Sequence, residues 1–144
     1  MKVLVHASLD HKDKILAAKD YIETMTDFTV LLPELVRYQH IRDEQGDDET
    51  FTKIKNKLTL QNISLVEQCC CLLILNPNHR GIDNYVGGNS FLEMVIAFYL
   101  KKPIFLLNDI PEGMSYSEEM KSLFPTVVGS LEKFTRIATK RVDG

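Results

Sequence analysis

Gly87-Gly88-Asn89-Ser90-Phe91-Leu92-Glu93-Met94-Val95-Ile96-Ala97-Phe98-Tyr99-Leu100-Lys101-Lys102-Pro103-Ile104-Phe105-Leu106-Leu107 passes from a turn into a helix and then into a strand. The two glycines permit backbone angles and close approaches that side chains forbid. Ser90 and Glu93 make the S-x-x-E pattern that marks a helix start ahead of an apolar run. Pro103 stops the helix, and residues 104–107 begin a strand. Just upstream, Cys69-Cys70-Cys71-Leu72-Leu73-Ile74-Leu75 is an unbroken apolar run, suited to a central parallel strand covered on both faces. Strand, helix and strand in this order form a βαβ unit.

The same alternation extends outwards. Residues 2–6 carry Val3, Leu4 and Val5, a buried first strand. Ile15, Leu16, Ala18, Ile22 and Met25 recur at helical spacing over residues 11–25. Residues 27–32 read as a second strand, closed by Pro33. Residues 34–50 are polar and broken by Gly46, a short helix or loop. Tyr38, His40 and Arg42 there suit either a solvated connection or a lid over a ligand. Residues 51–68 read as a long helix. Past the central unit come a turn-rich loop from Asn108, a short helix over 116–124, a fifth strand over 126–128 and a closing helix over 130–141. Strands alternating with helices predict a single α/β domain over residues 1–144. The expected architecture is three layers around a flavodoxin-like, five-stranded, mostly parallel sheet of order 2-1-3-4-5. Its ligand crevice lies where the loops after strands one and three diverge, bringing residues 7–10 towards residues 76–93.

Bulk composition narrows the function. Hydrophobic residues make up 44% and charged residues 26% of the 144, and the net charge is −3. That balance gives no electrostatic argument for binding a nucleic-acid polymer or a membrane surface. No apolar run is long enough to span a bilayer, and the first residues read as a strand and not as a signal peptide, so a cytoplasmic location is expected. The three consecutive cysteines have neither zinc spacing nor a nearby His pair, and read as small buried residues leading into the third strand. No metal constellation is visible, and no cofactor is expected.

Glu93 has two readings. As the third helical residue after a Ser90 cap it closes a capping box. As a carboxylate beside a glycine loop at the mouth of an α/β crevice it meets a ligand. Asn89 shares this ambiguity. The amides of Gly88, Asn89 and Ser90 open a helix and suit a phosphate or sugar hydroxyl, and Ser8 suits the same role from the first loop. Asn108 shapes the turn after the fourth strand or lies beside the ligand. His6 reads as a buried strand residue with a satisfied hydrogen bond, and His79 and Arg80 as loop surface.

Glu67 to Leu75, Gly87-Gly88-x-x-x-x-Glu93-x-x-x-Ala97 and Lys102-Pro103-Ile104 together resemble the nucleoside 2-deoxyribosyltransferase superfamily, which includes deoxynucleoside-monophosphate N-glycosidases. The match is best to a branch with a G-G-N-[ST]-x-x-E loop and a following Leu-Leu-Asn, here Leu106-Leu107-Asn108, and covers roughly residues 67–112. The resemblance implies a small flavodoxin-like domain in which Glu93 attacks the anomeric carbon of a deoxyribosyl group. It also implies a homo-oligomer; a nucleoside or nucleotide is the expected partner, with Ser8, Gly87, Gly88, Asn89, Ser90 and Asn108 as the candidate substrate contacts. In the transferases an Asp usually lies six residues before the Glu; here that position is Gly87, and Asp83 is the nearest upstream acid to act on the leaving base. The loop only partly echoes the P-G-G-x-G-T-x-x-E motif of cytokinin-activating hydrolases. A nucleotide-binding or sensing module that kept the fold without the chemistry is the alternative from another class.

Overall fold

All four side chains of Cys71–Ile74 are buried, and the molecule is layered around that strand. The computed structural model describes residues 1–33 and 48–143. In chain order the elements are β1 (Lys2–His6), a 3-10 turn (Leu9–His11), α1 (Lys12–Met25), β2 (Thr29–Leu31), α2 (Asp48–Gln68), β3 (Cys71–Ile74), α3 (Gly88–Tyr99), β4 (Ile104–Leu106), α4 (Ser117–Ser122), β5 (Thr126–Val127) and α5 (Leu131–Asp143). The sheet has order β2-β1-β3-β4-β5, and every pairing is parallel. The expected flavodoxin-like order is therefore present, and the sheet is wholly parallel. The expected lid with Tyr38, His40 and Arg42 lies outside the described residues.

Alternation along the strands explains the three layers. Val3, Val5, Cys71, Leu73 and Phe105 face one side and meet Ile15, Ala18 and Ile22 of α1 and Phe134 and Ala138 of α5. The Phe105 and Phe134 rings meet edge to face at 5.2 Å. Leu4, Leu72, Ile74, Ile104 and Leu106 face the other side, against Val66 of α2, Met94 and Ala97 of α3, and Met120 of α4. His6 follows Leu4 by two residues and so belongs to this second face.

The element boundaries differ from the sequence reading where side chains intervene. Helix α2 starts at Asp48, earlier than the expected residue 51, and Asp48 and Glu49 place negative charge on its positive end. Strand β3 starts at Cys71 and not at residue 69, because the chain is still completing α2. The Cys69 thiol donates to the Val66 carbonyl at 3.2 Å. The Lys102 ammonium donates to the carbonyls of Val66 at 2.8 Å, Cys69 at 2.7 Å, and Glu67. One cation thus satisfies three carbonyls at the negative end of the helix. This gives the Lys102-Pro103-Ile104 segment a structural role. Among the described residues no helix is long and apolar enough to cross a membrane.

Lys102→Met should lower stability by ~1–3 kcal/mol, since three carbonyls lose a charged donor. A lower urea midpoint with an unchanged m-value is the expected observation. An unchanged midpoint would remove Lys102 from the account of the fold.

Candidate functional site

Parallel order brings the carboxyl ends of β1 and β3 side by side, with His6 paired in register to Ile74. The loops beyond them meet as the topology requires. Asp10 Oδ2 lies 3.3 Å from His79 Nε2 and 3.9 Å from Arg80. The His79 ring lies 5.0 Å from that of Tyr85 and 5.1 Å from that of His11. His79 is thus partly buried and tied to the first loop, where the sequence suggested plain surface. Positive φ angles in this loop fall at Arg80, Gly81 and Asn84. Gly87 has an ordinary φ of −72°, and what it requires is space. A Cβ there would lie 3.4 Å from the Tyr85 ring, whereas one on Gly88 would meet nothing.

The capping box is absent. Gly87 is the N-cap, with no side-chain cap bond, so Ser90 lies within the first turn and Glu93 one turn further along. Ser90, Glu93, Met94 and Ala97 form the buried face of α3, at the i, i+3, i+4, i+7 spacing of an inward stripe. The hydroxyl that was to cap the helix instead turns into the sheet. Ser90 Oγ lies 2.6 Å from His6 Nδ1. Glu93 Oε2 lies 3.5 Å from the same nitrogen.

These three side chains are closed from solvent: Glu93 and Ser90 are 2% exposed and His6 4%. Burial pushes the Glu93 carboxyl well above its usual range and lowers the His6 imidazole to about 4. Both neutral forms are favoured. Neither carboxyl oxygen of Glu93 has a hydrogen-bond partner among the described residues. Buried carboxyls are nearly always paired, so an unpaired one calls for an explanation. Beside Glu93 is a cleft of about 10 Å³ between Thr59, Asn62 and Ile63 of α2 and Asn89, Leu92 and Ile96 of α3. That is space for about one water.

The other expected site residues are spread more widely. Asn89 borders the Glu93 cleft. Gly88 is exposed at the first turn of α3. Ser8 is half-buried at the start of the 3-10 turn and makes no side-chain cap bond. Asp83 is exposed and borders a separate groove with Asp109, Glu112 and Lys121. Asn108 serves the backbone: its Nδ2 donates to the Asn76 carbonyl at 3.1 Å, and its amide donates to Asn76 Oδ1 at 2.8 Å. Asn76, fully buried, returns bonds to the carbonyls of Asn108 and Asp109 at 3.0 Å each. This reciprocal pair holds the loops after β3 and β4 together. Among the described residues no group of three His, Cys, Asp or Glu side chains is placed to hold a metal ion.

His6 is the site member that the sequence reading left in a supporting place. The period of two along β1 carries the missing signal, since it puts His6 on the face that α3 covers. No protein-family model matches the chain, and no curated protein or solved structure matches it either.

A residue kept for packing loses stability when replaced, whereas an unpaired buried acid costs stability while present. Glu93→Met, of similar length and apolar, should raise stability by ~1–3 kcal/mol. The sign of the pH dependence follows from the raised carboxyl value. Stability tied to the protonated acid is fully present below its ordinary value and is lost as pH rises through the raised one. The advantage of the Met variant should therefore be larger at about pH 8 than at about pH 5. Denaturation midpoints at the two values check this, and a destabilised variant at both would make Glu93 structural.

Proposed function

We propose that the chain is a nucleoside or nucleotide N-glycosidase or 2-deoxyribosyltransferase in which Glu93 is the nucleophile. The observation that carries this reading is the Glu93 carboxyl, buried without a hydrogen-bond partner among the described residues at the carboxyl ends of β1 and β3, where open α/β sheets hold ligands. The G-G-N-S-x-x-E loop and its resemblance to the deoxyribosyltransferase superfamily supply the reaction. In that reaction a Glu93 oxygen bonds to the anomeric carbon as the carbon–nitrogen bond to the base breaks. The base leaves with a proton from an acid, for which Asp83 is the candidate. Water, or a second base, then displaces Glu93 from the sugar. The amides of Gly88, Asn89 and Ser90, which open α3, and the hydroxyl of Ser8 are the candidate holders of a phosphate or sugar hydroxyl. With room for about one water beside Glu93, a sugar ring reaches the carboxyl only when α2 and α3 part.

The pure protein, incubated with deoxynucleosides and deoxynucleotides bearing each base, should release free base from at least one. Glu93→Ala should reduce that release by roughly a thousandfold or more. Asp83→Asn should reduce it by about a hundredfold if Asp83 supplies the proton. Equal release from wild type and Glu93→Ala would rule out the nucleophile assignment. The second reading, a nucleotide-binding or sensing module, is favoured by the closed cleft and by Gly87 at the position of the transferases' acid. Saturable nucleotide binding with no base released would select it.

The proposed partner in assembly is a second copy of the chain. Leu92, Val95, Phe98 and Tyr99 of α3 are exposed, and the only charged residue of that helix, Glu93, is buried. An uncharged apolar face of this kind suits self-association. Light scattering should give a homo-oligomer that the double substitution Leu92→Glu, Tyr99→Glu converts to monomer. A monomeric wild type at about 0.1 mM would contradict it.

A further inference from the structure

His6 Nδ1 meets both polar groups on the inner face of α3. It is 2.6 Å from Ser90 Oγ and 3.5 Å from Glu93 Oε2. All three side chains are at least nine-tenths buried, and Glu93 has no other polar partner among the described residues. Among the described residues that line the cleft there is no competing base. Helix α2 presents Thr59, Asn62 and Ile63 to the Glu93 cleft, α3 adds Asn89, and the strand neighbours Leu4, Leu72 and Ile74 are apolar. None of these side chains titrates.

We propose that His6 is the proton partner of Glu93: the pair holds one proton, which is shared between the carboxyl and Nδ1, so that Glu93 ionises as His6 takes the proton. The step is balanced within the pair. The Glu93 O–H bond breaks, its electron pair stays on the carboxylate, and the proton forms an N–H bond at Nδ1. The new N–H points to Ser90 Oγ, which then accepts it. Two isolated buried charges are costly, but a pair this close neutralises itself, so ionisation of Glu93 leaves the net charge of the site unchanged.

The use of that proton transfer in catalysis rests on the proposed glycosyl transfer. A nucleophile must be ionised, and burial pushes Glu93 towards the neutral form. His6 resolves the conflict without opening the site to water. It acts on Glu93 and not on the substrate, so it is a positioning residue.

The test is a pH titration of the whole protein, followed by NMR on carbon-13-labelled Glu side chains and nitrogen-15-labelled His rings. Expected in wild type are two inflections shared by the Glu93 carboxyl and the His6 ring, the mark of a coupled pair. In His6→Asn, which keeps an acceptor for Ser90, the carboxyl should show one inflection, moved up by about one pH unit or more. If that variant does not fold, Glu93→Gln reports the same coupling from the His6 ring, whose two inflections should become one. For the active enzyme, His6→Asn should lower kcat with little change in KM and move the limb of the pH profile that follows Glu93 ionisation. Independent single inflections in wild type, or a carboxyl midpoint unchanged in His6→Asn, would overturn the proposal. Absence of base release from every substrate, with the coupled titration present, would instead remove the glycosyl-transfer reading and leave the proton pair standing.

Discussion

The contact between Ser90 Oγ and His6 Nδ1 joins positions 84 residues apart and fixes how α3 sits on the sheet. It sets the rotation of the helix, because a hydroxyl committed to the strand cannot cap its own helix. With Ser90 turned inwards, helical spacing carries Glu93, Met94 and Ala97 inwards as well. Met94 and Ala97 belong there, since they complete the apolar face against Leu72, Ile74 and Leu106. Glu93 does not, and among the described residues nothing provides it a hydrogen bond. The chain thus carries a local conflict at the place where the parallel sheet exposes its strand ends. Natural sequences tend to confine such conflicts to functional or strained positions.

Much of the fold was legible in the chain because its causes are local or periodic. The apolar run before Ile74 marks a strand buried on both faces, and Pro103 marks the end of a helix. The alternation of strands and helices fixes the class, and the switch between β1 and β3 follows from the strand order. What escaped depends on side chains reaching across the fold. Lys102 caps a helix more than thirty residues upstream in sequence, so no window of sequence contains both partners. Asn76 and Asn108 lock two loops by reciprocal bonds, which the turn chemistry of either loop alone does not reveal.

Ser90 and Glu93 show the same limit more sharply. Their spacing fits a capping box, and locally nothing distinguishes that outcome from an inward stripe. The difference lies in His6, which offers the hydroxyl a partner. Asp83, near Glu93 in sequence, borders a different groove from the Glu93 cleft, so the geometry brings the imidazole and not this acid next to the carboxyl. Periodicity along β1 is the signal in the sequence that points to the imidazole.

The central claim is that Glu93 forms a bond to a sugar. It is tested most directly by trapping, with 2-deoxy-2-fluoro-arabinosyl nucleosides bearing each common base, free and 5′-phosphorylated. The electron-withdrawing fluorine slows both displacements, and a glycosyl-enzyme accumulates wherever the base departs faster than the sugar is released from Glu93. Intact-mass measurement followed by peptide mapping should find one fluorosugar per chain, esterified to Glu93 and absent in Glu93→Gln. An adduct mapped to another residue, or no adduct from any probe while free base is released, would contradict the account.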